Sequence, residues 1–193
     1  PLPDARGRAF DPGAPEAQIP SGPRDAFAIC HNETSSGITQ DALELAEMCQ
    51  RHSVAFIIDG ITSVGGLPVH PEKWSAEAVV VGAQKCTAGP SGIAAIAVNQ
   101  RFIDRCIAIR NQEDSNPTYY LDILPAIKKG DDDQTPWTPA INPAMGWAEA
   151  LEELKTEGLE NRWNRCALMA KGVSRLFKDL GLNLLADEFF RSP

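Results

Sequence analysis

Four short apolar runs separated by polar, turn-forming stretches set the frame of this chain. Residues Ala26–Cys30, 55–58, 78–81 and 93–98 are rich in Ala, Val, Ile and Phe and read as buried strands. Between the first two runs, residues 41–51 place Ala42, Leu45, Ala46 and Cys49 on one face of a helix, with Thr39 as its N-cap. Residues 62–71 are turn-rich, and the fourth run follows the third after a loop too short for a helical crossover. The fourth strand is therefore expected to run antiparallel to its predecessor, giving a mixed sheet. A helix is predicted over 101–110, followed by a Pro/Asp-rich excursion over 114–138 that contains Asp131-Asp132-Asp133, read as a solvated turn rather than a cation site.

The last third reads as helical. Asn142-Pro143 offers a cap and a first-turn proline, Trp147, Leu151 and Leu154 form a stripe, and Gly158 stops the helix. A second helix carries Trp163, Cys166, Ala167, Ala170, Val173, Leu176, Phe177 and Leu180 at helical spacing before Gly181, and both stripes are expected to be core. Residues 183–186 look like the start of another strand. Residues 1–25 hold many prolines and glycines and are expected to be irregular.

Strands alternating with helical stretches imply an α/β architecture, in which chemistry collects at the carboxyl ends of the strands. The first three runs each deliver polar residues to that rim. They are His31-Asn32-Glu33-Thr34-Ser35-Ser36-Gly37, then Asp59, then Gln84-Lys85. A lysine that binds an aldehyde and a carboxylate that holds a ring-nitrogen proton are what pyridoxal phosphate chemistry requires. Each residue also has a plainer reading: Lys85 as a surface side chain, Asp59 as a turn cap. His31 with Glu33 resembles a metal pair but lacks a third ligand nearby. Ser35 or Ser36 with His31 resembles a nucleophile and base but lacks a G-x-S-x-G elbow. The glycines match neither G-x-G-x-x-G nor a Walker loop, which removes dinucleotide and nucleoside triphosphate readings.

Composition narrows the partners. The chain has 193 residues, 43% of them hydrophobic and 23% charged, enough for one domain with a sizeable core. Its formal net charge of −8 argues against nucleic acid or an anionic membrane and favours a small-molecule substrate. Five cysteines, odd in number and with no C-x-x-C pair, suit reduced thiols and a cytoplasmic location. No apolar run approaches the roughly 18 residues of a membrane helix.

The set His31-Asn32-Glu33-Thr34-Ser35-Ser36-Gly37, Asp59 with Thr62-Ser63-Val64-Gly65-Gly66, Gly82-Ala83-Gln84-Lys85, Gly89-Pro90-Ser91-Gly92 and Gly158-Leu159-Glu160-Asn161-Arg162 closely resembles class V aminotransferases. These are fold type I pyridoxal-phosphate enzymes, and the match is to their alanine–glyoxylate and serine–pyruvate branch, from about residue 26 to 185. The resemblance implies an α/β large domain with a mostly parallel mixed sheet and helices on both faces. It implies an irregular segment over 1–25, a cofactor-binding core over 26–180 and the start of a small domain over 181–193. The implied cofactor is pyridoxal 5′-phosphate. Lys85 would form the Schiff base and shuttle the substrate proton, and Asp59 would hold the pyridinium proton. Thr34 would meet the phenolic oxygen, Ile61 would lie beneath the ring and Gln84 would reach the phosphate. Thr135 or Thr138 would reach the phosphate of the partner subunit, which implies a homodimer with shared sites. The implied reaction moves an amino group from a small amino acid such as alanine or serine to a 2-oxo acid such as glyoxylate or pyruvate.

Gln84 stands where cysteine desulfurases and kynureninases usually carry His, which favours transamination over lyase or desulfurase chemistry. The family's glycine-rich phosphate loop, its ring-stacking aromatic residue and its substrate-gripping arginine are not matched at either end. The expectation is the central part of a larger enzyme, incomplete at both ends, with a non-catalytic scaffold as the alternative.

Overall fold

The computed structural model describes residues 7–11, 13, 26–112 and 118–193. Most of the segment expected to be irregular, and part of the 114–138 excursion, lie outside the described residues. Strand β1 (Ala26–Cys30) leads into a small hairpin of β2 (Asn32–Glu33) and β3 (Ile38–Thr39), then helix α1 (Ala42–Arg51). Strands β4 (Ala55–Asp59), β5 (Ala78–Gly82) and β6 (Ala94–Val98) complete a four-stranded sheet of order β1-β4-β5-β6. β1, β4 and β5 are parallel and β6 is antiparallel to β5, so the mixed sheet is as expected.

Register makes one face of this sheet the core. Ile29 lies beside Ile58 and Ile58 beside Val79, and all three join Phe56 in one buried cluster with Leu45, Ala46, Met48 and Cys49 of α1. Because side chains alternate along a strand, Cys30, Asp59 and Val80 share the opposite face. That face is open in part: Ala28 and Ile96 are exposed and Ile57 and Val80 are half-buried.

Helix α1 starts one residue later than the periodicity suggests, and Asp41 rather than Thr39 caps it. The Asp41 carboxylate accepts from the backbone N–H of Leu43 at 3.1 Å and Glu44 at 3.3 Å. Thr39 is instead a strand residue whose hydroxyl donates to Asn32 Oδ1 at 2.9 Å.

Helix α2 (Gln100–Arg110) matches its prediction. The 114–138 excursion hides a short helix, α3 (Ile123–Gly130), capped by Asp122, that its turn-forming neighbours masked. Asp131, Asp132 and Asp133 form an exposed turn after it. Helices α4 (Ile141–Glu157) and α5 (Leu159–Asp179) are broken at Gly158, whose φ of 82° lies in the left-handed region that glycine adopts without strain. Helix α4 begins at Ile141 without a side-chain cap, so the predicted Asn142 cap is not formed.

The two helical stripes are not core. No residue of α4 or α5 is fully buried, and Leu168, Val173, Leu176 and Leu180 are exposed. The physical reason is where these helices sit: they lean on the loops beyond the strand ends rather than on the sheet. The Trp147 indole N–H donates to Thr87 Oγ1 at 3.0 Å, and the His70 and Trp163 rings meet edge-on at 6.1 Å. Residues 183–186 form no strand. The chain returns instead to the hairpin, where Ser192 N–H donates to the Gly37 carbonyl at 2.8 Å.

Replacing Asp41 with Ala leaves two N–H groups of the first α1 turn unsatisfied. The expected outcome is a loss of about 1 kcal/mol in urea-unfolding free energy, whereas Thr39→Val leaves the helix cap intact.

Candidate functional site

Three loops leave the carboxyl ends of β1, β4 and β5, and one residue ties them together. The Thr62 carbonyl accepts from Asn32 Nδ2 at 3.2 Å and from Cys86 Sγ at 3.2 Å, and the Thr62 hydroxyl donates to the Asn32 carbonyl. Asn32 belongs to the loop after β1, Thr62 to the loop after β4 and Cys86 to the loop after β5. The rim is thereby a single hydrogen-bonded unit rather than three independent turns.

Cys86 and Cys30 serve this unit as thiols. Burial pushes the Cys86 thiol up, with a contribution from Cys166, against the lowering effect of Arg162 and Lys85. Cys30 rises to about 11, first through burial and then through Asp59 and Glu33, and it donates to the Asn32 carbonyl at 3.5 Å. Both sulfurs stay protonated, as a donor must.

Asp59 ends β4 on the sheet face away from α1, half-buried, and its Oδ1 accepts from Ile61 N–H at 2.9 Å. The turn-cap reading of Asp59 is therefore real, and it fixes the carboxylate and Ile61 relative to each other. Ile61 lies over Gly82 at the end of β5. A Cβ on Gly82 would come within 3.0 Å of Ile61 Cγ2 and 3.2 Å of Gln84 Oε1. Glycine at 82 thus lets Ile61 and Gln84 close over the strand end from either side. Asp59, Ile61 and Gln84 are brought together at the ends of two neighbouring strands.

Lys85 follows in a turn closed by Ala88 N–H to the Lys85 carbonyl at 2.9 Å and Gly89 N–H to the Ala83 carbonyl at 2.7 Å. Its side chain is exposed. Thr34 is an exposed residue at the tip of the β2–β3 hairpin, and Asn32 fastens that hairpin to Thr62. Thr135 and Thr138 are exposed in the stretch after α3, with the Thr135 hydroxyl donating to the Trp137 carbonyl at 2.7 Å.

The competing arrangements do not assemble. Ser35 donates from both N–H and hydroxyl to Glu33 Oε1, at 2.8 and 2.7 Å, which lowers the Glu33 carboxyl below its usual range. His31 points the other way, 4% exposed against the Trp74 ring, with its Nδ1 buried and unpartnered. Among the described residues no three His, Cys, Asp or Glu side chains gather to hold a metal. The rim residues do fit a planar, phosphorylated pyridine aldehyde. An exposed amine, a fixed carboxylate, a branched apolar platform and a side-chain amide surround a strand end that carries no Cβ.

Sequence reasoning missed Asn32, Thr62 and Cys86, the residues that bind the rim together. The signal was present, since Asn32 and Thr62 each lie just past a strand end. Their partners could not be read without the sheet order.

A model of the family described as "Aminotransferase class-V" matches residues 11–184. An uncharacterised aminotransferase of Methanocaldococcus jannaschii is 34% identical over 169 residues, 86% of this chain and 43% of that protein. The serine–glyoxylate aminotransferase of Methylorubrum extorquens is 29% identical over 163 residues, 83% of this chain and 40% of that protein. In three dimensions the chain superposes on alanine–glyoxylate aminotransferase from Nostoc sp. with a TM-score of 0.85 and 26% identity, covering 97% of this chain and 49% of that one. The chain spans less than half the length of these relatives.

Burial lowers the His31 pKa from about 6.5 to about 4, against a smaller raising effect of Asp41. The unfolded chain thus binds a proton that the folded chain refuses. Stability is full above about pH 6.5 and is lost as pH falls toward 4. The expected loss between pH 7 and pH 5 is about 2 kcal/mol more in the wild type than in His31→Phe, read from urea unfolding at both pH values.

Proposed function

The chain belongs to the class V aminotransferase family, and from that premise we propose that it is the cofactor-binding core of a pyridoxal-phosphate-dependent aminotransferase. Its fold is that of the fold type I enzymes. The proposed reaction moves an amino group from a small amino acid, alanine- or serine-like, to a 2-oxo acid such as glyoxylate or pyruvate. The observation that supports it is the convergence of Asp59, Ile61 and Gln84 at the ends of β4 and β5, one residue before an exposed lysine.

The cofactor, when bound, supplies an electron sink for the carbanion formed at the substrate Cα. Lys85 would hold its aldehyde carbon and would move the proton at the substrate Cα. Asp59, kept in place by Ile61 N–H, would hold the proton on the ring nitrogen. Ile61 would pack against the ring and exclude water there. Thr34 would hydrogen-bond the phenolic oxygen and Gln84 the phosphate. These roles suit the residues' chemistry and placement.

We further propose a homodimer in which Thr135 or Thr138 completes the partner's phosphate site. Both are exposed, as such a role requires. No helix among the described residues is long and apolar enough to cross a membrane. With five free cysteines this supports a cytoplasmic protein.

The test adds pyridoxal phosphate to the protein at its full natural length, reduces with borohydride and maps the label. A visible absorption band and label on the Lys85 peptide are expected, and both vanish in Lys85→Ala. Label on another lysine, or none, overturns the reading. Asp59→Asn should keep the label while lowering kcat for alanine-to-glyoxylate transfer by about a hundredfold. Release of sulfide from cysteine in place of that transfer would reassign the chemistry to desulfuration.

A further inference from the structure

The guanidinium of Arg162 links the α4–α5 junction to the residue beside Lys85. Its Nη2 donates to the Cys86 carbonyl at 3.1 Å, and its Nη1 donates to Glu157 Oε2 at 3.0 Å. We propose that Arg162 is a positioning residue that fixes the Lys85 loop, and through it the direction in which the Lys85 amine points. The proposal rests on Lys85 being the cofactor-bearing lysine.

The geometry of the junction explains why this residue can do so. Gly158 ends α4 at Glu157 and starts α5, so the last carboxylate of one helix and the first-turn arginine of the next face each other. Arg165, one turn further along α5, donates to the same carboxylate at 2.6 Å from Nε and 3.0 Å from Nη2. The two arginines hold the Glu157 carboxyl down to about 2, with the Arg165 hydrogen bond the larger cause. Glu157 therefore stays charged well below the usual carboxylate range. It also holds Arg162 on its Nη1 side, which frees Nη2 to reach across to the loop.

Cys86 is consequently pinned at two atoms. Its carbonyl accepts from Arg162, and its thiol donates to the Thr62 carbonyl that joins the other two loops. On the other side of Lys85, Ala83 N–H donates to the Ile93 carbonyl at 3.3 Å, and the turn closes through Ala88 and Gly89. Lys85 sits between two anchors, one from the sheet and one from α5, with an exposed side chain that nothing else orients. A planar guanidinium suits this task because it donates in two directions at once, toward a carboxylate and toward a carbonyl, from one rigid group. An ammonium can satisfy either partner but not hold both in one plane.

The experiment compares wild type, Arg162→Met and Arg162→Lys in the protein at its full natural length. Arg165 keeps Glu157 paired in both variants, so no carboxylate is left stranded. In the cofactor-free protein, amide hydrogen exchange should rise about tenfold across residues 84–89 in Arg162→Met, with β4 and α1 unchanged. In the loaded protein, the rate of cofactor attachment to Lys85, read from growth of the visible band, and kcat should each fall about tenfold, while KM for the amino acid stays within twofold. Arg162→Lys should recover part of each loss. Unchanged exchange over 84–89, or a rise spread evenly over the sheet, overturns the proposal, as does a kcat that does not move. A wild type that never labels Lys85 fails the functional reading instead, and the exchange measurement still decides whether Arg162 holds the loop.

Discussion

The Thr62 carbonyl is the point on which the candidate site depends. One oxygen accepts a side-chain amide from the loop after β1 and a thiol from the loop after β5, and it belongs to the loop after β4. A single hydrogen bond of this kind contributes only about 1 kcal/mol to stability. Its importance here is geometric, because each of the three loops carries one part of the proposed cofactor cradle. Thr34 rides on the first, Asp59 and Ile61 on the second, Gln84 and Lys85 on the third. The shared acceptor joins all three at one atom, and the Thr62 hydroxyl donating to the Asn32 carbonyl adds a second tie between the first two.

Polar ties at the rim and apolar packing beneath it act on different faces of the same sheet. Ile29, Phe56, Ile58 and Val79 face α1 and are buried, and each contributes roughly 1.5–3 kcal/mol through the area it removes from water. Asp59 is one residue past Ile58 and therefore projects from the other face. His31, one residue past Cys30, turns back toward α1 and Trp74. The alternation of a strand thus sorts two neighbouring polar residues to opposite fates. His31 becomes a buried, neutral ring and Asp59 a rim carboxylate held by the Ile61 N–H.

How much of this was legible in the sequence follows from the range of the interactions. The strands, α1 and the antiparallel turn-back of β6 are set by local periodicity and loop length, and they appear where the pattern puts them. Asp59 and Lys85 stand out in the sequence because strand ends are recognisable and chemistry gathers there, whereas Ile61 and Gln84 are singled out only by the family resemblance. Asp41 was overlooked as a cap because Thr39 is an equally good capping type, and only the β2–β3 pairing shows that Thr39 is occupied. Helix α3 was hidden by the aspartates that flank it and by Pro125, which falls in its first turn, where a proline costs no helical hydrogen bond. Asn32, Thr62, Cys86 and Arg162 could not be paired from sequence at all, since their contacts join residues 24 to 76 positions apart. The stripes of α4 and α5 have the periodicity of core helices, but periodicity reports amphipathicity and not what covers the apolar side.

The exposed stripe of α5 is compatible with a fixed rim because it is the first turns of the helix that meet the rim loops. Its first two turns carry Arg162, Trp163 and Cys166, all half-buried against the rim loops, while Val173, Leu176 and Leu180 further on are exposed. Exposed apolar side chains add nothing to stability, so the hold of α5 on the rest of the chain comes from its polar and aromatic first turns. Charge-assisted hydrogen bonds are roughly twice as strong as neutral ones, and the Glu157–Arg162–Arg165 group places several of them at one corner. The corner next to Lys85 therefore gathers the strongest polar ties of the α4–α5 pair.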